Sequence, residues 1–112
     1  MWQKGFGRID WKSSSARVSP TETLYDLASI TKVVGTTTAM MILFDQGRYA
    51  LDDPIGKYLS EFAGGLKDSV TIRELLDHRS GLPADRDLWR LASSPEEARK
   101  IVLSTPLEYR PG

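Results

Sequence analysis

Between Ser29 and Gln46 the side chains return at helical spacing, and the apolar ones do so on more than one face. Ile30, Val34, Thr37, Met41 and Phe44 recur every three or four residues. Val33, Met40 and Leu43 fill the neighbouring stripe, and Gly47 supplies a C-terminal stop. A helix apolar over much of its circumference needs covering on most sides, so burial is expected here. Gly35 and the run Thr36 to Thr38 are weak helix formers, so packing rather than propensity must hold this segment together.

The remaining sequence offers little to cover it. "WQKGFGRIDW", residues 2 to 11, alternates aromatic and polar side chains and reads as a strand. "KSSSARVSPTET" is rich in Ser, Thr and Pro and reads as an exposed connection. Three shorter helices follow the central one. "DDPIGKYLSEF" offers Asp53 as N-cap and Pro54 at the first helical position. "TIRELLDH" carries a capping box in Thr71 and Glu74. "SPEEARKIVL" repeats the device with Ser94, Pro95 and Glu97 and sets two acids at the positive end of the helix dipole. One strand followed by four helices leaves the strand without a partner, and a lone strand is unstable in water. The expectation is an α+β chain that is a piece of something larger.

Composition excludes several roles. Fifteen basic and fifteen acidic residues cancel, which leaves no basic face for nucleic acid or an anionic membrane. There is no cysteine, hence no disulfide, thiolate metal site or cysteine nucleophile. The first ten residues lack the apolar core of a signal peptide, and "AMMILF" is far too short to cross a bilayer. No metal or organic cofactor is suggested, and the compartment stays open.

Chemistry is concentrated in "LASITKV", residues 27 to 33. A serine hydroxyl is a weak nucleophile until a base lies within hydrogen-bond reach. Ser29 and Lys32 are three apart, which on a helix puts them on one face a turn apart. Burial and the positive helix N-terminus both disfavour an ammonium, and the same terminus stabilises an alkoxide and offers the serine's own N–H to an oxyanion. The spacing is not specific alone, since a serine at a helix start is more often a cap and a lysine one turn in more often solvated.

Other residues read as structural. His78 is the only histidine, and one histidine without a placed partner is weak evidence for a triad. Adjacent Asp52 and Asp53 point apart, which suits a helix-entry turn better than a carboxylate pair. "RSGLPADRDLWR" intersperses acids among its arginines and reads as a solvated loop. Trp2, Trp11 and Trp89 are expected in core or rim packing.

The context of the serine is more telling. "TLYDLASITKVVGTTTAMMILFDQGRYALDDPIGKYLSEF" resembles the nucleophile region of the serine β-lactamase and DD-peptidase family, in its class C and β-lactamase-like esterase branch. Thr23 and Tyr25 stand where that branch has a threonine and an aromatic before "ASxTK". "GRYALDDP" matches its "G-x-x-x-L-D-D-P" turn, "TIRELLDHRSGLP" its "LLxHxSGLP" helix end, and "PLEYRPG" the approach to its Tyr-x-Asn motif. The resemblance implies Ser29 as the acyl-enzyme nucleophile, Lys32 as its proton-transfer partner and His78 as a structural residue that holds the turn by hydrogen bonds. It implies β-lactams, D-Ala-D-Ala peptides or small esters as substrates.

Two family motifs are absent. The chain contains no asparagine, so Tyr-x-Asn cannot be present, and no Lys/His-Thr/Ser-Gly motif occurs. Residues 1–112 therefore read as a partial domain, truncated at both ends, of a chain about three times longer. Alone it is expected to be inactive or nearly so and prone to self-association. The competing reading is a non-catalytic helical interaction module, or a degenerate relative in which Ser29 and Lys32 are relics.

Overall fold

In a computed structural model describing residues 2–112, the hydrophobic core lies outside the central helix, which reaches it only through Met40. Ile55, Phe62, Val70, Ile72 and Leu103 are buried, with Met40, Tyr49, Leu76, Leu82 and Leu107 packed against them. The element order begins with a π-helical turn, Lys32–Thr37, which runs into helix α1, Thr38–Asp45. Two 3-10 turns follow, Ile55–Lys57 and Gly65–Ser69. Helices α2 (Ile72–Leu76), α3 (Leu88–Leu91) and α4 (Pro95–Ser104) complete the chain.

The ends of these helices follow the sequence closely. Thr71 caps α2 in a reciprocal capping box: its hydroxyl accepts from the Glu74 N–H, and the Glu74 carboxylate accepts from the Thr71 N–H at 2.8 Å. Gly47, left-handed at φ 66°, ends α1 in a Schellman motif. Its N–H donates to the Phe44 carbonyl at 2.9 Å and the Arg48 N–H to Leu43 at 3.0 Å. Ser94 caps α4 with Pro95 at the first helical position. Glu97, however, reaches past Ser94 to the N–H and hydroxyl of Ser93, so that box is shifted by one residue.

Several expectations are corrected. Among the described residues there is no strand, and the architecture is four α-helices with π and 3-10 turns rather than α+β. The segment 2–11 keeps only an isolated bridge between Arg8 and Arg17. Gly7 at φ 77° interrupts the extended run, leaving two cross-links, Ile9 N–H to Ala16 and Val18 N–H to Gly7. The helix expected from Asp53 shrinks to the turn Ile55–Lys57. Pro54 is extended at ψ 142°, and the Ile55 N–H crosses to the Val70 carbonyl at 2.9 Å instead of serving a helix. The Ile72 N–H returns the bond to Asp53 at 3.1 Å. Within the expected loop 79–90, Leu88–Leu91 forms α3.

Burial of the central helix is also corrected. Neither the π turn nor α1 contains a buried residue, and Val33, Val34, Met41 and Ile42 are all more than half exposed. Among the described residues none covers that face. Its radius of gyration is 19.3 Å, against about 13 Å for a compact domain of this length. Its accessible surface is 9106 Å², where about 6200 Å² is expected for a globular chain of this mass. The three tryptophans share this exposure, with Trp2, Trp11 and Trp89 all outside the core. An apolar cleft of about 490 Å³ lies between α1 and α2, floored by Ile55 and Ile72. No helix among the described residues is long and apolar enough to cross a membrane.

Candidate active site

Ser29 sits where an irregular lead-in becomes helical. Three successive tight bonds wrap the chain around it: Ile30 N–H to Leu27 at 2.9 Å, Thr31 N–H to Ala28 at 3.1 Å and Lys32 N–H to Ser29 at 3.0 Å. Bonds of this i to i+3 kind give a 3-10 turn, in which side chains three apart eclipse one another. Ser29 and Lys32 are such a pair. The Lys32 Nζ donates to the Ser29 Oγ at 3.1 Å, with both residues exposed. The ladder begins at the Ile30 N–H, so the serine amide stands one residue ahead of it.

The residue before the serine is strained. Ala28 has φ 42°, a left-handed conformation that costs an ordinary L-residue about 1–2 kcal/mol. Its N–H donates to the Asp26 Oδ1 at 2.8 Å, closing a two-residue side-chain turn. Strain of this sort is retained where surrounding bonds determine it, and it gathers at functional sites.

On the other side the helix widens. The Thr37 hydroxyl donates to the Lys32 carbonyl at 3.0 Å and the Thr38 hydroxyl to Val33 at 3.3 Å, both across five residues. The β-branched threonines and Gly35 that make this stretch a poor α-helix thus settle it as a π turn, a form that recurs at functional sites. The Ser29–Lys32 contact spans the one turn that leads into this π turn, which starts at Lys32.

The other singled-out residues lie elsewhere. His78 occupies the left-handed position after α2 at φ 61°, where its N–H donates to Leu75 at 3.3 Å and the Arg79 N–H to Glu74 at 2.7 Å. This is a Schellman closure, and the expected turn-holding histidine does it through its backbone. Asp52 binds Arg73 through two bonds, 2.7 and 3.2 Å, and is held below its ordinary value chiefly by that contact. Asp53 is not the expected helix cap. Its Oδ2 accepts from the Tyr58 hydroxyl at 2.6 Å, the Ala50 N–H at 2.8 Å and the Lys57 Nζ at 2.9 Å. Those three bonds, the tyrosine's largest, bring its pKa to about 2. Among the described residues no three His, Asp or Glu side chains gather as metal ligands would.

Sequence reading missed Asp26 and Ala28. The signal for the first was an aspartate two residues before a small one ahead of a helix start, which is side-chain turn chemistry.

Residues 2–112 match the family model for beta-lactamase. The chain belongs to the beta-lactamase family. Curated relatives named as D-alanyl-D-alanine carboxypeptidases resemble it. One from Escherichia coli O157:H7 is 37% identical over 105 residues, covering 82% of this chain and 24% of its own length. One from Escherichia coli K12 is 36% identical with the same coverage. One from Salmonella agona SL483 is 32% identical over 108 residues, 85% of this chain and 25% of its own. This beta-lactamase-family chain thus spans about a quarter of the length of those relatives. No solved structure matches it significantly.

Proposed function

We propose that this segment carries the nucleophile of a serine acyl-transfer hydrolase. The Ser29 Oγ attacks the carbonyl carbon of a β-lactam, a peptide ending in D-alanyl-D-alanine or a small ester. Its proton passes to the Lys32 Nζ, which hands it to the leaving nitrogen or oxygen as the C–N or C–O bond breaks; the product amine or alcohol departs, or in a β-lactam stays tethered through the opened ring, and water hydrolyses the ester left on Ser29. For attack the amine must be neutral and accept from the hydroxyl, along the same axis on which it now donates. The observation that supports this is the eclipsed pair itself, Nζ to Oγ 3.1 Å apart on the first turn. The names of the relatives favour the peptide substrate. A negative charge developing on the substrate oxygen can be met here by the Ser29 N–H, and oxyanion sites use more than one donor. Removal of one donor costs about 2.7–4 kcal/mol, so residues 1–112 by themselves should turn over slowly or not at all.

The test is hydrolysis of a D-alanyl-D-alanine peptide by the protein at its full natural length. Release of D-alanine that Ser29→Ala and Lys32→Met each abolish supports the proposal, and release unchanged by Ser29→Ala refutes it.

A second reading draws on the exposed Val33, Val34, Met41 and Ile42. In it the region is a helical interaction module, open to self-association, and the Ser29–Lys32 pair is a relic. That reading requires partner binding which Ser29→Ala leaves untouched and Met41→Glu destroys.

A further inference from the structure

The geometry points to Asp26 as a positioning residue for the nucleophile, acting through the backbone of Ala28; this rests on the reading of Ser29 as that nucleophile. Ala28 is tied on both sides. Its N–H donates to the Asp26 Oδ1 at 2.8 Å, and its carbonyl accepts the Thr31 N–H at 3.1 Å. Between those two bonds the residue is held at φ 42°, where an alanine has little reason to stay. Ser29 is the next residue, so the direction of its Cα–Cβ bond is set by the dihedrals of the residue before it. If Ala28 relaxes to negative φ, the serine side chain swings off the turn it shares with Lys32.

The bond that holds Ala28 requires an acceptor oxygen two residues back, not a charge. An asparagine Oδ1 serves equally, since Asn and Asp close the same side-chain turn. Glycine at position 28 would reach the same backbone conformation without help. A positioning role therefore differs in its chemistry from an electrostatic one, in which the Asp26 carboxylate would act on the Lys32 amine through space.

The experiment measures the acylation rate constant, separately from substrate affinity, with a fluorescent penicillin on the protein at its full natural length. Asp26→Ala should slow acylation about 10- to 100-fold with little change in affinity, the scale expected when a reacting group is misplaced by a fraction of its reach. Asp26→Asn should stay within about twofold of the parent, because the acceptor remains. Asp26→Ala combined with Ala28→Gly should recover most of the lost rate. Equal losses in Asp26→Ala and Asp26→Asn, or no recovery on adding Ala28→Gly, would overturn the inference, as would an Asp26→Ala protein that acylates normally. Ser29→Ala is run beside them. Labelling that survives Ser29→Ala refutes the nucleophile reading itself, whereas labelling lost there but normal in Asp26→Ala refutes only the role given to Asp26.

Discussion

Lys67 donates from its Nζ to the Leu103 carbonyl at 2.7 Å, joining two residues 36 apart in sequence inside the core. The lysine is 7% exposed, its ammonium lies over the Phe62 ring at 5.1 Å from the centroid, and the carbonyl it meets belongs to the last turn of α4. Such carbonyls have no partner within their own helix. Lys67→Met keeps the apolar stem but leaves that carbonyl bare, and is expected to destabilise the fold by about 1–3 kcal/mol. A denaturant midpoint that does not move would mean the bond contributes nothing.

Gly81 fastens the last described segment. Its carbonyl accepts from the Glu108 N–H at 2.7 Å, and the Gly112 N–H donates to Arg79 at 3.0 Å. At φ 82° a side chain is strained, and a Cβ there would stand 2.3 Å from the Tyr109 carbonyl oxygen. Gly81→Ala should therefore cost about 2 kcal/mol or more, from the left-handed backbone and the collision together. Faster hydrogen exchange at the Glu108 amide is the local readout, and unchanged exchange would contradict it.

His78 holds the same left-handed turn position at the end of α2 that Gly47 holds at the end of α1. Glycine reaches that conformation without a Cβ penalty. His78→Gly is expected to raise stability by about 1 kcal/mol and to leave acylation unchanged. A loss of acylation would show the imidazole to be chemically engaged.

Asp53 sets a pH dependence whose sign follows from its lowered pKa. The folded chain holds it at about 2 against an ordinary 3.8, mainly through the Tyr58 hydroxyl. The carboxylate is favoured by folding, so its contribution is complete above the ordinary value and is lost as pH falls from about 4 towards about 2. Asp53→Asn should flatten that part of an acid titration followed by circular dichroism, and Tyr58→Phe should shift it upward. An acid transition identical in all three proteins would contradict this assignment.

Features with local causes were legible in the sequence. The capping box of Thr71 and Glu74, the Gly47 stop and the Ser94 cap need only neighbouring residues, and each forms. The strand at 2–11 failed because its pairing depends on a partner the described residues do not supply, and because Gly7 adopts a positive φ. The helix at Asp53 failed for a related reason: cross-chain pairing with Val70 took the amide that helix formation needed. The juxtaposition of Ser29 and Lys32 was legible as spacing. The left-handed Ala28 was not, since alanine carries no sign of such a conformation and only Asp26 betrays it. The apolar circumference of α1 was read accurately, but what would cover it is non-local.

The most direct test is to treat the protein at its full natural length with a fluorescent penicillin, digest it and locate the adduct by mass spectrometry. A single acyl ester on the peptide containing Ser29, absent after Ser29→Ala and slowed strongly by Lys32→Met, is the predicted result. An adduct on another residue, or labelling indifferent to Lys32, would contradict the account.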